Sequence, residues 1–339
     1  MKIEIPIWPY VYGTPSGSGA IRTVPEDFIV TENLAFEPSG DGEHAFLQIQ
    51  KTGENTEYVA RQLAKFANVR QRDIGFAGMK DRHAVTTQWF SVWLPGKSDP
   101  DWKALETDNI KVLNNIRHAR KLKRGVLSGN TFNITIRDWQ GDQAKTVEQL
   151  EAIKANGIAN YYGSQRFGYQ GQNIEKALAM FRGNKTGREQ RSLYLSAVRS
   201  YLFNQVLAVR VNDKTWDQAL AGDTYMFDGS QGCFKSQLPD AAILKRIQEK
   251  AIHPSGVLWG KGDFDVSADA LTIEQAVIES YEELAQGLVA FGLEKARRSL
   301  RVNVANLEWQ FNSATALQLT FTLPAGSYAT ALLREICEC

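Results

Sequence analysis

Cysteine is scarce. Cys233, Cys337 and Cys339 are the only three in 339 residues, an odd number without zinc-ligand spacing. The start, "MKIEIPIWPYVYG", carries no secretory leader, so a cytosolic protein with reduced thiols is expected. No apolar run approaches the roughly 18 residues needed to cross a bilayer as a helix, so no transmembrane segment is expected. Neither sign of charge is in excess. Lysine and arginine total 39 against 38 aspartates and glutamates, a net charge of +1 that gives no global attraction to polyanions. The four histidines, His44, His83, His118 and His253, are scattered without metal spacing. Gly-rich phosphate loops, GxGxxG after a strand, HExxH and CxxC are all missing. The enzymatic chemistry that fits these absences best is carried by a carboxylate, with no metal and no cofactor.

What is present changes character along the chain. At 339 residues the prior is two domains, because single cores stop growing near roughly 250–300 residues. Before about residue 150 strand signals dominate. In "NTFNITIR", Phe132, Ile134 and Ile136 alternate with polar residues. One helix interrupts them, "NTEYVARQLAKFANV", with a stripe of Val59, Leu63 and Phe66 and with Asn55 or Thr56 as cap. From 157 to about 300 helices dominate. "LYLSAVRSYLFNQVLAVRV" aligns Val198, Leu202, Val206 and Val209. "TIEQAVIESYEELAQGLVAF" opens with Thr272 and Gln275 at capping-box spacing. Between them "GSQGCFKSQLPDA" predicts loops and short strands. Strand alternation returns in "ALQLTFTLP", followed by Ser327 as the expected cap of a last helix. This order, strands then helices then strands, predicts an α+β chain in which a helical domain is inserted into a sheet domain.

Several segments are candidates for function. In "FAGMKDRHAVTTQWFSV", Asp81 sits between Lys80 and Arg82 at the mouth of a strand with at least one buried face. A solvated turn explains the triplet; so does an ionised carboxylate that acts as a nucleophile, since flanking cations favour the charged form. "RHARKLKRG" crowds Arg117, Arg120, Lys121, Lys123 and Arg124 into one strip, either a solvated face or a set of phosphate contacts. Asn130 and Phe132 follow at the start of a strand, an amide and an aromatic able to bond and stack a base, although Phe132 equally suits a core. "NYYGSQRFGYQGQN" reads as a loop whose Arg166 serves either a tight structural turn or a groove facing RNA. "IRTVPEDFIVTE" holds Arg22 and Phe28 around a turn into a strand, and "PAGSYATALLRE" sets Tyr328 at a helix start.

At "GFAGMKDRHAVTTQWFS" the sequence resembles the tRNA pseudouridine synthase D (TruD) family. "PEDFIVTE", "KTGENTEYVARQLA", "RKLKRGVLSGNTF", "NYYGSQRFG", "RSLYLSAVRSYLFNQVLA" and "LPAGSYATALLRE" fall in that family's order, over nearly the whole chain. The resemblance implies isomerisation of a tRNA uridine, typically uridine 13, to pseudouridine without a cofactor. It implies a catalytic domain with a mixed, mostly antiparallel sheet over 1–156 and 302–339. It also implies an inserted helix-rich α/β domain over 157–301, and a basic cleft for tRNA. The nucleophilic aspartate of the family falls on Asp81. The base-stacking aromatic falls on Phe132, where other pseudouridine synthases carry tyrosine. Target-nucleotide contacts fall on Phe28, Asn130 and Tyr328, a position that is phenylalanine in some relatives. Arg22 is expected beside Asp81, with Lys80 and Arg166 supporting. The only partner implied is tRNA; no membrane or protein partner is expected, and the chain is expected to be a monomer. Two other readings remain open at this point: an RNA-folding factor that does not use Asp81, and a glycoside hydrolase, for which no second catalytic carboxylate is identifiable.

Overall fold

A computed structural model describes residues 4–339. The chain forms two compact units. One comprises Ser16–Gln143, Val304–Gly326 and Cys337–Cys339; the other comprises the N-terminal segment through Pro15, Ala144–Asn303 and Ser327–Ile336.

The first unit is built on a sheet. Its long strands are β1 (Phe28–Leu34), β2 (His44–Thr52), β3 (Val85–Trp93), β4 (Ile110–His118), β5 (Leu127–Gly141), β6 (Ala305–Ser313) and β7 (Ala316–Pro324). They lie in the order β6-β7-β5-β1-β3-β2-β4, and three short strands bring the sheet to ten. Every pairing among the seven is antiparallel except β1 with β3, which is parallel with Ile29 opposite Val85. The sheet is therefore mixed and mostly antiparallel, in an α+β fold.

Side-chain alternation explains the register. Phe132, Ile134 and Ile136 of β5 and Leu317, Leu319, Phe321 and Leu323 of β7 are all buried on one face. Leu319 lies opposite Ile134 and Phe321 opposite Phe132, so a slip of one residue would turn both apolar rows outward. β3 departs from simple alternation: Val85–Val92 is buried on both faces. Helix α1 (Thr56–Phe66) covers part of the sheet by packing Val59 and Leu63 on Leu47, Ile49 and Phe90. Asn55 occupies its N-cap but makes no side-chain capping bond. The Thr56 hydroxyl is engaged elsewhere, as described below.

The second unit is helix-rich α/β. Its helices are α2 (Gln143–Asn156), α3 (Gln172–Phe181), α4 (Arg188–Asn212), α5 (Ala241–Gln248), α6 (Ala268–Ser280), α7 (Glu282–Ala290) and α8 (Ala329–Leu333). A four-stranded sheet runs in the order Cys233–Lys235, Thr224–Phe227, Ile252–Leu258, Ala296–Ser299. α4 buries Val198, Leu202 and Val206 as its stripe predicts, with Tyr201 and Phe203 beside them, while Val209 is half-buried.

Four expectations are corrected. α6 begins at Ala268, so Thr272 lies inside it and its hydroxyl donates back to the Ala268 carbonyl instead of capping. The single long helix expected there breaks at Tyr281 into α6 and α7. Tyr328, not Ser327, is the N-cap of α8. Cys337 and Cys339 are joined as a disulfide, which departs from the all-reduced expectation, and Cys233 is free and exposed. Among the described residues no helix is long and apolar enough to cross a membrane, and no cluster of three or more His, Cys, Asp or Glu could hold a metal.

Leu319 tests the sheet core because its side chain is fully buried. Leu319→Ala should lower unfolding free energy by about 2–5 kcal/mol, read as an earlier urea midpoint with an unchanged slope.

Candidate active site

The parallel pairing of β1 with β3 dictates where the Lys80-Asp81-Arg82 triplet lies. In a parallel pair the segments that enter the two strands emerge at the same end of the sheet. Arg22, from the segment entering β1, therefore meets Asp81, from the segment entering β3, with Nη2 2.8 Å from Oδ2. The Asp81 side chain keeps 43% of its surface and that of Arg22 28%, so the pair is open to a ligand. Arg22 adopts a left-handed backbone, φ 60°, a conformation that costs a non-glycine residue about 1–2 kcal/mol. That strain aims its guanidinium at two targets at once: the carboxylate of Asp81 and the ring of Phe28, whose centroid lies 4.1 Å away. Phe28 in turn meets Phe132 edge-on at 6.2 Å, and Phe132 stacks on Phe321 at 5.3 Å.

Each residue of the triplet is also tied down from below. The Lys80 amide donates to Thr56 Oγ1 (3.0 Å), the hydroxyl that sequence reading assigned to a helix cap. Thr56 donates to Gln88 Oε1 (3.0 Å), and Gln88 Nε2 donates to the Gly78 carbonyl (2.6 Å). The Asp81 carbonyl accepts from Lys51 Nζ at 3.1 Å, and Arg82 Nε donates to the Gly53 carbonyl at 2.9 Å. "KTGENT", residues 51–56, is thus the seat of the triplet.

The Lys80 ammonium reaches Glu32 Oε1 at 2.6 Å, and the second oxygen of that carboxylate accepts the Trp89 amide at 2.8 Å. Burial pushes the Glu32 carboxyl upward, with Lys80 and the Trp89 amide opposing. Glu32 lies opposite Asn130 in the β1–β5 register, on the face that carries Phe28 and Phe132. The triplet is thereby folded back towards Asn130. Asn130 Oδ1 is buried and lacks a hydrogen-bond partner among the described residues.

Arg22, Phe28, Lys80, Asp81, Asn130 and Phe132 are therefore brought together on the sheet unit. Phe28 and Phe132 are only 4% and 7% exposed, so they offer ring edges on a packed base. Arg166 and Tyr328 meet each other in the helical unit: Arg166 Nη2 donates to the Tyr328 hydroxyl at 2.6 Å, and Tyr328 packs edge-on to Tyr162. The hydroxyl that distinguishes Tyr328 from phenylalanine thus has a partner.

The basic strip divides. Arg117 is engaged with Asp99 (3.0 Å) and the carbonyls of Lys97 and Gly42, and Lys121 donates to the Arg72 carbonyl (2.5 Å). Arg120, Lys123 and Arg124 are exposed and without partners among the described residues.

Sequence reading missed Lys51, Glu32, Thr56 and Gln88. One signal was available: in "FIVTE" the alternation sets Glu32 on the inward face with Phe28 and Val30, and a carboxylate there requires a buried cation. Lys51 gives the same signal, following Leu47 and Ile49 on the inward face of its strand; Gln88, in a strand buried on both faces, gives none.

The protein-family model of tRNA pseudouridine synthase D (TruD) matches residues 4–187 and 170–336. A Methylococcus capsulatus protein named tRNA pseudouridine synthase D is 51% identical, covering 97% of this chain and 94% of its own. A Hydrogenovibrio crunogenus protein of the same name is 41% identical, covering 99% of this chain and 97% of its own. The crystal structure of a Methanosarcina mazei TruD-type protein superposes with a TM-score of 0.77 at 22% identity, over 97% of this chain and 95% of that one. That likeness bears on the fold alone, but the family model spans residues 4–336 and the relatives cover nearly the whole chain: it belongs to the tRNA pseudouridine synthase D family.

Proposed function

We propose that this protein isomerises a uridine of tRNA, at position 13, to pseudouridine, with Asp81 as the nucleophile. The observation that carries this reading is the Asp81 carboxylate, open to solvent yet fixed by Arg22 beside an aromatic floor. Family membership supports the tRNA and the reaction class; the position within the tRNA and the residue roles are our inference.

The reaction breaks the N1–C1′ bond, turns the uracil and joins C5 to C1′. Electrons and atoms balance within one nucleotide, so no redox cofactor is called for. The target uridine has to leave its helical stack at a cost of about a few kcal/mol, and a stack on an aromatic returns about 1–3 kcal/mol. Phe132, backed by Phe321 and met edge-on by Phe28, is the aromatic we assign to that base, which it meets through the small part of the ring left exposed. The buried Asn130 Oδ1 suits the uracil N3–H as donor, because leaving such an acceptor unpaired costs about 1–3 kcal/mol. Asp81 then either attacks C1′ or takes the C2′ proton to form a glycal. Both routes need a charged carboxylate held in place: Arg22 grips it directly, and Lys80, whose ammonium is taken by Glu32, supports it through the backbone of the triplet. Tyr328 contacts the target nucleotide, with Arg166 fixing its hydroxyl. In this reading residues 1–156 and 302–339 are the catalytic domain and 157–301 the inserted one. The protein works as a monomer in the cytoplasm.

Asp81→Asn should fold, bind tRNA as wild type does and form no pseudouridine when unmodified transcripts are mapped chemically. Turnover within about tenfold of wild type would remove Asp81 from the chemistry, since losing a nucleophile costs far more. Lys123→Ala with Arg124→Ala should weaken tRNA binding and lower the slope of log K against log salt by about 1–2. An unchanged slope would return these residues to ordinary solvated surface.

A further inference from the structure

We propose that Lys51 is a positioning residue for Asp81, whose ammonium, sealed under the triplet, holds the backbone of the nucleophile at the angle that the reaction needs. This rests on Asp81 being the nucleophile, as proposed above.

Lys51 is on β2, a strand whose neighbouring side chains are core, and its own side chain is fully buried. A methionine would fill much the same volume without the cost of desolvating an ammonium. The charge has two carbonyl partners: Nζ donates to Glu54 at 2.7 Å and to Asp81 at 3.1 Å. It joins the turn entering α1 to the loop entering β3. The other two residues of the triplet reach the same turn, through Lys80 to Thr56 and Arg82 to Gly53. Of these three contacts with the turn, only that of Lys51 falls on the nucleophile itself. Because Lys51 has no access to solvent, it cannot touch a phosphate, so its effect has to pass through Asp81.

The charged groups facing Lys51 are Asp81 and Lys80 from the loop, Glu32 from β1 and Glu54 from the turn. Burial pushes the Lys51 amine down to about 8; Asp81, Glu54 and Glu32 resist that shift and Lys80 adds to it. The sign on stability follows. The folded affinity for the proton is below that of the unfolded chain, so the unfolded state binds more protons above pH 8, and this group makes the fold more stable as pH rises. The sign on activity is the reverse, because the deprotonated amine no longer grips the Asp81 carbonyl with a charge. A rate that falls through pH 8 while stability does not fall separates positioning from a merely structural role.

The test is the single-turnover rate of the full-length protein on an unmodified tRNA transcript from about pH 6.5 to 9.5, with melting followed at each pH. Wild type should lose rate through about pH 8. Lys51→Met should be slower by about ten- to a hundredfold at neutral pH, with that limb gone and KM unchanged. Lys51→Arg, if it fits the site, should carry the limb to higher pH. The proposal is overturned by a wild-type profile flat through pH 8, which needs no variant to fold. It is also overturned by a limb that survives unchanged in Lys51→Met, or by a loss that appears in KM and not in kcat. An inactive Asp81→Asn beside a normal Lys51→Met sinks this inference alone; an active Asp81→Asn sinks the reading beneath it.

Discussion

The site depends on one pairing. β1 and β3 run parallel in a sheet that is otherwise antiparallel among its long strands, and that places the entrances of both strands at one end. Had β3 run the other way, Arg22 and Asp81 would sit at opposite ends of the sheet. The ion pair itself, half-exposed, contributes at most about 1 kcal/mol to stability. Its importance is geometric: it is the point at which two loops and an aromatic floor are held to a common position.

Strain and burial on either side of that pair point the same way. Arg22 bears a left-handed backbone, Lys51 and Glu32 bear desolvation, and Asn130 bears an unpaired oxygen. None of these features helps the sheet to fold. Together they border one carboxylate, and concentrations of unfavourable local terms around a reactive group are what preorganised sites require. The basic strip contrasts with this. Arg117 and Lys121 are committed to the protein's own acceptors, and only Arg120, Lys123 and Arg124 stay free for an external anion, so a run of charge in sequence is not a run of available charge in space.

Most of the sheet could be read from the chain because period-two alternation is a strong signal where one face is dry. Phe132, Ile134 and Ile136 and the row from Leu317 to Leu323 were legible for that reason. The helical stripe of α4 was legible likewise. Helix ends were not. Thr56, Thr272 and Ser327 all have capping chemistry, yet each is used otherwise or lies elsewhere, because a hydroxyl goes to whichever partner the tertiary fold brings nearest. Asp81, Asn130 and Phe132 were candidates from the residues themselves, but for the triplet alone a solvated turn was the stronger reading, and their roles, with that of Phe28, came only from the family's motifs. Lys51 was passed over although it continues the inward row of Leu47 and Ile49; what alternation cannot show is that its ammonium reaches the Asp81 carbonyl.

The stack of Phe132 on Phe321 has a consequence for biosynthesis. The two rings come from strands separated in the chain by residues 144–303 of the helical unit, so their contact is non-local. Such contacts form late and slowly, because a long loop must close before they repay its entropy. A nascent chain leaving the ribosome would carry Asp81 and Phe132 long before Phe321 exists to back them. The nucleophile is thus synthesised early, and the ring that backs Phe132 almost last.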